Sequence, residues 1–591
     1  MRGRRILAVL LLAILAPAGG MSPMQWAAAQ PALQPAAMPP NAGGPPAPAP
    51  AGEPTPPRVS YTYGEVSFWR PGAQDWTAAT VNTPLAAGDV LYAGQAGNVE
   101  IQIGPRAFAR AGYDAQIGLD NLEAGFIQLR LTGGEVALDL RALPAGTIVE
   151  LDTPNAAFSV GRAGYYRAEV GQDATTFAAY RGGAATMTPA AGGPTTLATG
   201  QQVVITGVGS PEVAVGAAAP LGAWDNWNTQ RSEYLLHAES ARYVPSGVYG
   251  TEALDQHGTW RTMETYGSVW VPSDVPTGWV PYSTGQWIWD PRFGWTWLDA
   301  APWGWAPYHY GRWVFVGGTW AWAPGPVLVR PAYAPALVVF LGGPVVAVGR
   351  PLYWAPLGWG EPVVPWWGRP GFVGVAWWGG WGGPRVVNNV VIARTTTVNV
   401  TNITVYKNVN VTNAVVGVPA DRFGHGDARP APIAPGEIAQ LRPVRGALDV
   451  KPVPASLAPS LAAAPRPPSA MESRGVVATR APRDLGPALA AQGLARANPV
   501  ASPSRIVSAP PRIATAPSAA RGSGRGEGEA APPPRRGATA ESVPPPPPSS
   551  PRGAAQSPSG KSGKKSDPSA HVKPGHGGSP PHEQGEPKEH H

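Results

Sequence analysis

In the stretch PYHYGRW, His309 stands between two tyrosines, with Arg312 just after it and Asp299 ten residues before it. Those residue types could form a triad or a proton relay. Glu264, Asp274, Asp290 and Asp299 could supply a carboxylate pair for glycoside hydrolysis, a chemistry that depends on their separation in space. Each reading competes with a structural one. A histidine among tyrosines suits an aromatic sheet, and Asp290 before Pro291 and Asp299 before Ala300, Ala301 and Pro302 have the chemistry of turns. The chain has no H-E-x-x-H, no G-x-S-x-G and no phosphate-cradling glycine loop, and with zero cysteines it has no thiol chemistry, disulfides or cysteine metal sites. His237, His257 and His425 are scattered, whereas His571, His576, His582, His590 and His591 share a low-complexity end that could hold a transition metal only loosely. The expectation is a protein that is not an enzyme, with no catalytic residue, cofactor or metal site.

Tryptophan is the more informative residue. Of 24 tryptophans, 21 lie between Trp224 and Trp381, and GWVPYSTGQWIW (278–289) returns as GWAPYHYGRWVF (304–315) after 26 residues. The W-x-W pairs Trp287/Trp289, Trp295/Trp297, Trp303/Trp305 and Trp320/Trp322 would place both rings of a pair on one face of a strand. Strand–turn units of this kind stack rings on one side of a small sheet or repeat array. Such rings can build a core, each burying on the order of 200 Å2. Exposed, they can stack on sugars or on proline-rich peptides. The spacing suits both, and the lack of cysteine with few long aliphatic residues in this region favours a core, with Trp287, Trp295, Trp305, Trp313 and Tyr308 the candidates for ligand stacking.

These residues must be held by a mainly β chain. Residues 59–206 carry short runs of Val, Ile, Leu, Phe and Tyr between glycine turns, as in GNVEIQIG and GFIQLRLTGGEVALDL. The alternation of Phe126, Gln128 and Arg130 with Ile127, Leu129 and Leu131 predicts half-buried strands in a sandwich, barrel or solenoid. A linker (207–223) and a short helix over Trp227–Ala241, capped by Asn226 and using Tyr234, Leu235 and Ala238 as one side, lead into the Trp/Pro-rich β repeat module (224–325). A Trp/Gly/Pro-rich and Val/Thr/Asn-rich extension (326–426) follows, with one or two strands predicted over Arg394–Val418. Its N-x-T triplets at Asn399, Asn402 and Asn410 reflect abundant Asn and Thr more than glycosylation.

Two family resemblances attach to these stretches. TPLAAGDVLYAGQAGNVEIQIG, LRLTGGEVALDL, LDTPNAAFSVGRAGYYRAEV and LATGQQVVI resemble the pattern of the FecR family, regulators whose periplasmic β domain passes a receptor signal to a sigma factor. The resemblance implies a FecR-like β domain, sandwich- or solenoid-like, and periplasmic placement. This chain departs from those regulators in having a signal-type N-terminus where they carry a cytoplasmic segment and a transmembrane helix. GQWIWDPRFGWTWLDAAPWGWAPYHYGRWV and GGTWAWAPG resemble a family of unknown function found in proline-rich exported proteins of proteobacteria, which implies no activity.

The ends are of another kind. Met1–Arg5 is basic, Ile6–Leu15 apolar, and small residues follow at Ala18 and Ala27–Ala29, a secretory signal (1–29) with cleavage expected after Ala29 and Ala18 as the alternative. A Pro/Ala linker (30–58) comes next, and residues 427–591 read as a disordered, Pro-rich basic tail. From residue 429 onward 21 Lys/Arg face 11 Asp/Glu, which leaves 24 against 27 in the rest of the chain. The body is therefore mildly acidic, which disfavours a nucleic-acid partner. No apolar stretch is long enough for a transmembrane segment. The functional expectation is an exported, non-enzymatic binding or scaffolding protein of the periplasm or surface of a Gram-negative cell. Its partner would be an envelope protein or polysaccharide, with the tail drawn to anionic envelope polymers. The alternatives are a carbohydrate- or peptidoglycan-binding module and a FecR-derived signalling adaptor.

Overall fold

The computed structural model describes residues 55–325, 327, 331–342, 351–368, 373, 386–387, 390–391, 406–426, 428–494 and 504–508. The signal sequence, nearly all of the Pro/Ala linker, Asn399, Asn402 and the five C-terminal histidines lie outside the described residues.

The chain is mainly β, as expected. Fifteen strands between Arg58 and Ala217 make one sheet system. Its spine is a long hairpin, β1 (Ala107–Glu123) and β2 (Phe126–Leu140), paired antiparallel almost end to end with register shifts near Gly112, Gln116 and Leu119. The apolar set of the alternation (Leu129, Leu131, Val136, Leu138, Leu140) joins Ile101, Phe158 and Phe177 in the core of the sheet.

The other face was expected to meet water and does not. Gln128, Arg110, Asp139 and Glu100 are as buried as the leucines, because further chain lies on top of them. Part of the cover is α1 (Ala223–Leu236), which sets Trp224 and Trp227 against Ala137 and Tyr165. This helix begins and ends earlier than predicted: Gly222 caps it through the Asp225 carboxylate, Asn226 lies inside it, and Ala238 lies beyond it. Its buried face is Trp224, Asp225, Trp227, Asn228, Arg231, Ser232 and Leu235, a partly charged set that apolar periodicity could not pick out. The expected linker 207–223 contains a strand, since the sheet continues through β3 (Gln201–Thr206) into β4 (Glu212–Ala217).

The second cover is the tail. Its expected unpacked character is corrected for residues 428–494, which run along the body. Ala431–Pro432 and Arg442–Pro443 add short strands to a five-stranded sheet with Val338–Gly342, Leu352–Pro356 and Val416–Val418. Further on, Val476, Val477 and Ala478 are buried, Val477 N donates to Thr153 O (2.8 Å), and the Thr479 hydroxyl donates to Glu150. Low aromatic content hid this role, because the segment buries small apolar residues and backbone against a surface built elsewhere. Of the strands predicted over Arg394–Val418, Val416–Val418 is present and Lys407–Asn410 is a 3-10 turn, while 394–405 lie outside the described residues.

Candidate functional site

The repeat folds as interlocked aromatic hairpins. In β5 (Gly285–Asp290) and β6 (Gly294–Asp299), Trp287 faces Trp297 and Trp289 faces Trp295, so all four rings share a face. In β7 (Arg312–Val316) and β8 (Thr319–Ala323), Trp313 faces Trp322, which also faces Trp270 of the neighbouring strand Gly267–Pro272. Trp303 and Trp305 do not form the expected strand pair, because Trp305 opens a short helix, α2 (Trp305–His309). The two copies of the repeat therefore differ locally. Tyr282 in the first holds φ at 64° in a turn, whereas its counterpart Tyr308 is helical. Both copies need their glycine: a Cβ on Gly285 would lie 2.5 Å from Leu298 O, and one on Gly311 2.4 Å from Ala323 O. The copies meet at their equivalent tyrosines, with ring centroids 4.7 Å apart and the Tyr282 hydroxyl donating to Tyr308 O (2.8 Å).

All five residues singled out for ligand stacking, Trp287, Trp295, Trp305, Trp313 and Tyr308, are buried. Stacking on a sugar needs an open ring face, and these faces are taken. Trp287 packs on Trp297, Phe340, Trp354 and Phe423, and Trp305 on His309 and Tyr333. The partly exposed tryptophans are instead Trp260 and Trp279 of the module and Trp359 of its extension.

The candidate catalytic residues are dispersed. Asp299 accepts from the Trp297 indole (3.0 Å) and from Ala301 N (2.9 Å), and burial, only partly offset by those bonds, pushes its carboxyl up to about 7. His309 donates from Nδ1 to Ala334 O (2.8 Å), and burial lowers its imidazole to about 3, which keeps it neutral. Each is tied to its own backbone partner, so no relay links them in this arrangement. Asp290 accepts from the amides of Arg292 and Phe293, the turn role expected of it. Arg312 is buried against Glu361 O and Gly311 O, Glu264 is exposed, and Asp274 meets His257 at 3.1 Å on the surface. Among the described residues no group of three or more His, Asp or Glu could hold a metal ion.

Sequence reasoning missed the junction between the two β regions. Trp69, Trp76 and Tyr92 of the sheet region belong to the same buried cluster as the repeat tryptophans. Three polar side chains stitch that seam. Arg58 donates to Gln102, Asn82 and Glu252 (2.9, 2.6 and 2.7 Å) and lies over the Trp305 ring. Arg70 clamps Asp89 through two bonds and donates to Trp289 O (3.0 Å). Asn82, at φ 70°, donates to Pro302 O (3.0 Å). An isolated Arg in a β-rich run gives no sign of its partner hundreds of residues away, so only the unusual placement of Trp69 and Trp76 outside the tryptophan block hinted at the contact.

Residues 251–361 match the model of a family of unknown function, DUF6600. Two crystal structures of a candidate anti-sigma factor from Parabacteroides distasonis are similar to part of the chain. Both are 9% identical, with TM-scores of 0.20 and 0.21, covering 22% and 23% of this chain and 59% and 63% of that protein. No curated protein matches. Among the described residues no helix is long and apolar enough to cross a membrane.

Proposed function

We propose that the protein is a non-enzymatic scaffold of the cell envelope, exported through its signal-type N-terminus. In this reading a FecR-like β region and the tryptophan module act as one rigid body. The observation that carries the reading is the aromatic cluster spanning both β regions, from Trp69 and Trp76 to Trp354 and Trp366. Rings spent on that cluster stiffen the body and are not offered to a ligand. The separate tethering of Asp299 and His309 supports the non-enzymatic part of the reading. Its basic C-terminal stretch is the element that would meet anionic envelope polymers, an attraction that salt weakens.

Co-sedimentation of the full chain with isolated peptidoglycan, read together with tryptophan emission, tests the proposal. Binding that falls from low to high salt, with blue-shifted emission unchanged by the polymer, is expected. Emission that shifts on binding would overturn it in favour of a carbohydrate-binding module, and absence of binding at low salt would remove the polymer as partner.

A further inference from the structure

The sheet region has two unequal ends. One end strand, Thr195–Leu197, tucks Leu197 into the core. The other, β4, presents EVAVGA with every residue exposed. Its register makes that exposure informative. Val213 lies opposite Ile205 and Val215 opposite Val203, and directly opposed residues share a face. Ile205 and Val203 are 0% exposed in the core, whereas Val213 and Val215 are 44% and 50% exposed. Among the described residues, the core face therefore runs one strand past its cover.

The free edge also has the right polarity to pair. Ala218 N donates to Gly200 O (2.8 Å), so by the alternation of an antiparallel ladder Ala214 and Gly216 turn their backbone groups toward β3 while Val213 and Val215 turn theirs outward. Proline, lysine and bulges, which commonly guard an edge, are missing from β4. Glu212 is its one charge.

We infer that β4 is a dimerisation edge that pairs antiparallel with β4 of a second copy about a two-fold axis through Ala214. A two-fold perpendicular to the sheet keeps faces matched only when a residue sits opposite itself or opposite one an even number of positions away. Centring on Ala214 sets Val213 against Val215 of the other copy twice, so four valines form one row continuous with both cores. It sets each Glu212 against Gly216 and holds the two glutamates about 13 Å apart along the strands, avoiding a like-charge pair. Centring one residue further on would lose one of the two Val–Val pairs and set Val213 against Ala217 instead. The second copy is the occupant that the strand's own sequence complements.

The test uses the full chain, which contains no cysteine. Sedimentation should give a dimer whose dissociation constant rises by about tenfold or more in Val215→Lys, with Val215→Thr, which keeps the strand's β preference, weakening it less. Ala214→Cys should form a disulfide-linked dimer on mild oxidation, since a non-hydrogen-bonded pair holds its Cα atoms about 4.5 Å apart. Gly216→Cys, exposed on the same strand but far from its own copy, should not. A chain that stays monomeric at all concentrations, a dimer indifferent to Val215→Lys, or equal cross-linking of the two cysteine variants would overturn the inference.

Discussion

The two β regions bury their covered faces by different means. In the sheet region, the face under α1 is charged: Glu100 is held by Arg110 (2.8 Å) and Arg231 (3.1 Å), and Asp139 by Arg141 (2.8 Å) and Arg181 (3.0 Å). In the tryptophan module the corresponding contacts are ring on ring. A buried ion pair recovers little beyond the cost of drying its charges, so it contributes mainly to position, and the pair that reaches α1, Arg231 with Glu100, ties the helix to one place on the sheet. A buried tryptophan brings apolar area and tolerates several ring geometries, which fits the mixture of stacked, tilted and edge contacts seen here. The difference teaches that the sheet region specifies position and the aromatic module supplies cohesion.

Removing a central ring should break the comparison most severely. Trp297 is fully buried, touches Trp287, Tyr282 and Trp354, and donates to Asp299. Trp297→Ala leaves a cavity and deprives a buried carboxyl of a donor, so denaturant unfolding should register a loss of about 4 kcal/mol. A loss under about 1 kcal/mol would mean that the aromatic cluster is not the cohesive element.

Acid should separate the regions next. Burial alone would raise the Glu100 carboxyl, but Arg231 and Arg110 hold it down at about 2, below its usual 4.5. Its folded value is depressed, so its contribution is present above pH 4.5 and is lost as pH falls toward 2, amounting to about 3 kcal/mol. The aromatic module carries two opposed groups. His309, lowered from 6.5 to about 3, loses stability as pH falls below 6.5, whereas Asp299, raised from 3.8 to about 7, costs stability as pH rises from about 4 through 7. The two nearly cancel between pH 6.5 and 4. Relative to the parent chain over that range, melting temperature should therefore fall with acid in Asp299→Asn and rise with acid in His309→Phe. Parallel curves for all three chains would show that neither group titrates as its burial requires.

These contrasts also show what a linear sequence can disclose. Alternation in FIQLRLTGGEVALDL was enough to place strands, and W-x-W spacing was enough to align Trp287 with Trp289 and Trp295 with Trp297. The turn roles of Asp290 and Asp299 were legible because turn chemistry is local. Residues at long range were not. The polar side of the half-buried strands, Gln128 included, is covered because α1 lies over Arg110 and Glu100 and the tail's Arg480 over Gln128, which alternation alone cannot reveal, and Arg58 and Arg70 gave no hint of Glu252 or Trp289. The tail misled for the same reason: Val476–Ala478 is too short to announce itself, and its burial depends on a groove completed some 300 residues earlier.

The smallest effect should come from the most visible tail contact. Arg466 meets Asp75 at 2.8 Å, but the two side chains are 59% and 65% exposed. An exposed pair gains little in water and gives up side-chain freedom, so Arg466→Ala should cost under about 1 kcal/mol. The tail should stay docked in that variant, because Leu457, Val477 and Leu489 remain buried and the Val477 and Thr479 amides keep their acceptors. Limited proteolysis across 460–494 reads this directly. Protection equal to that of the parent chain would place the tail with the cohesive, packed elements. Rapid cleavage after so slight a change would make the exposed pair its fastening, and would move the tail to the side of the molecule that ion pairs position.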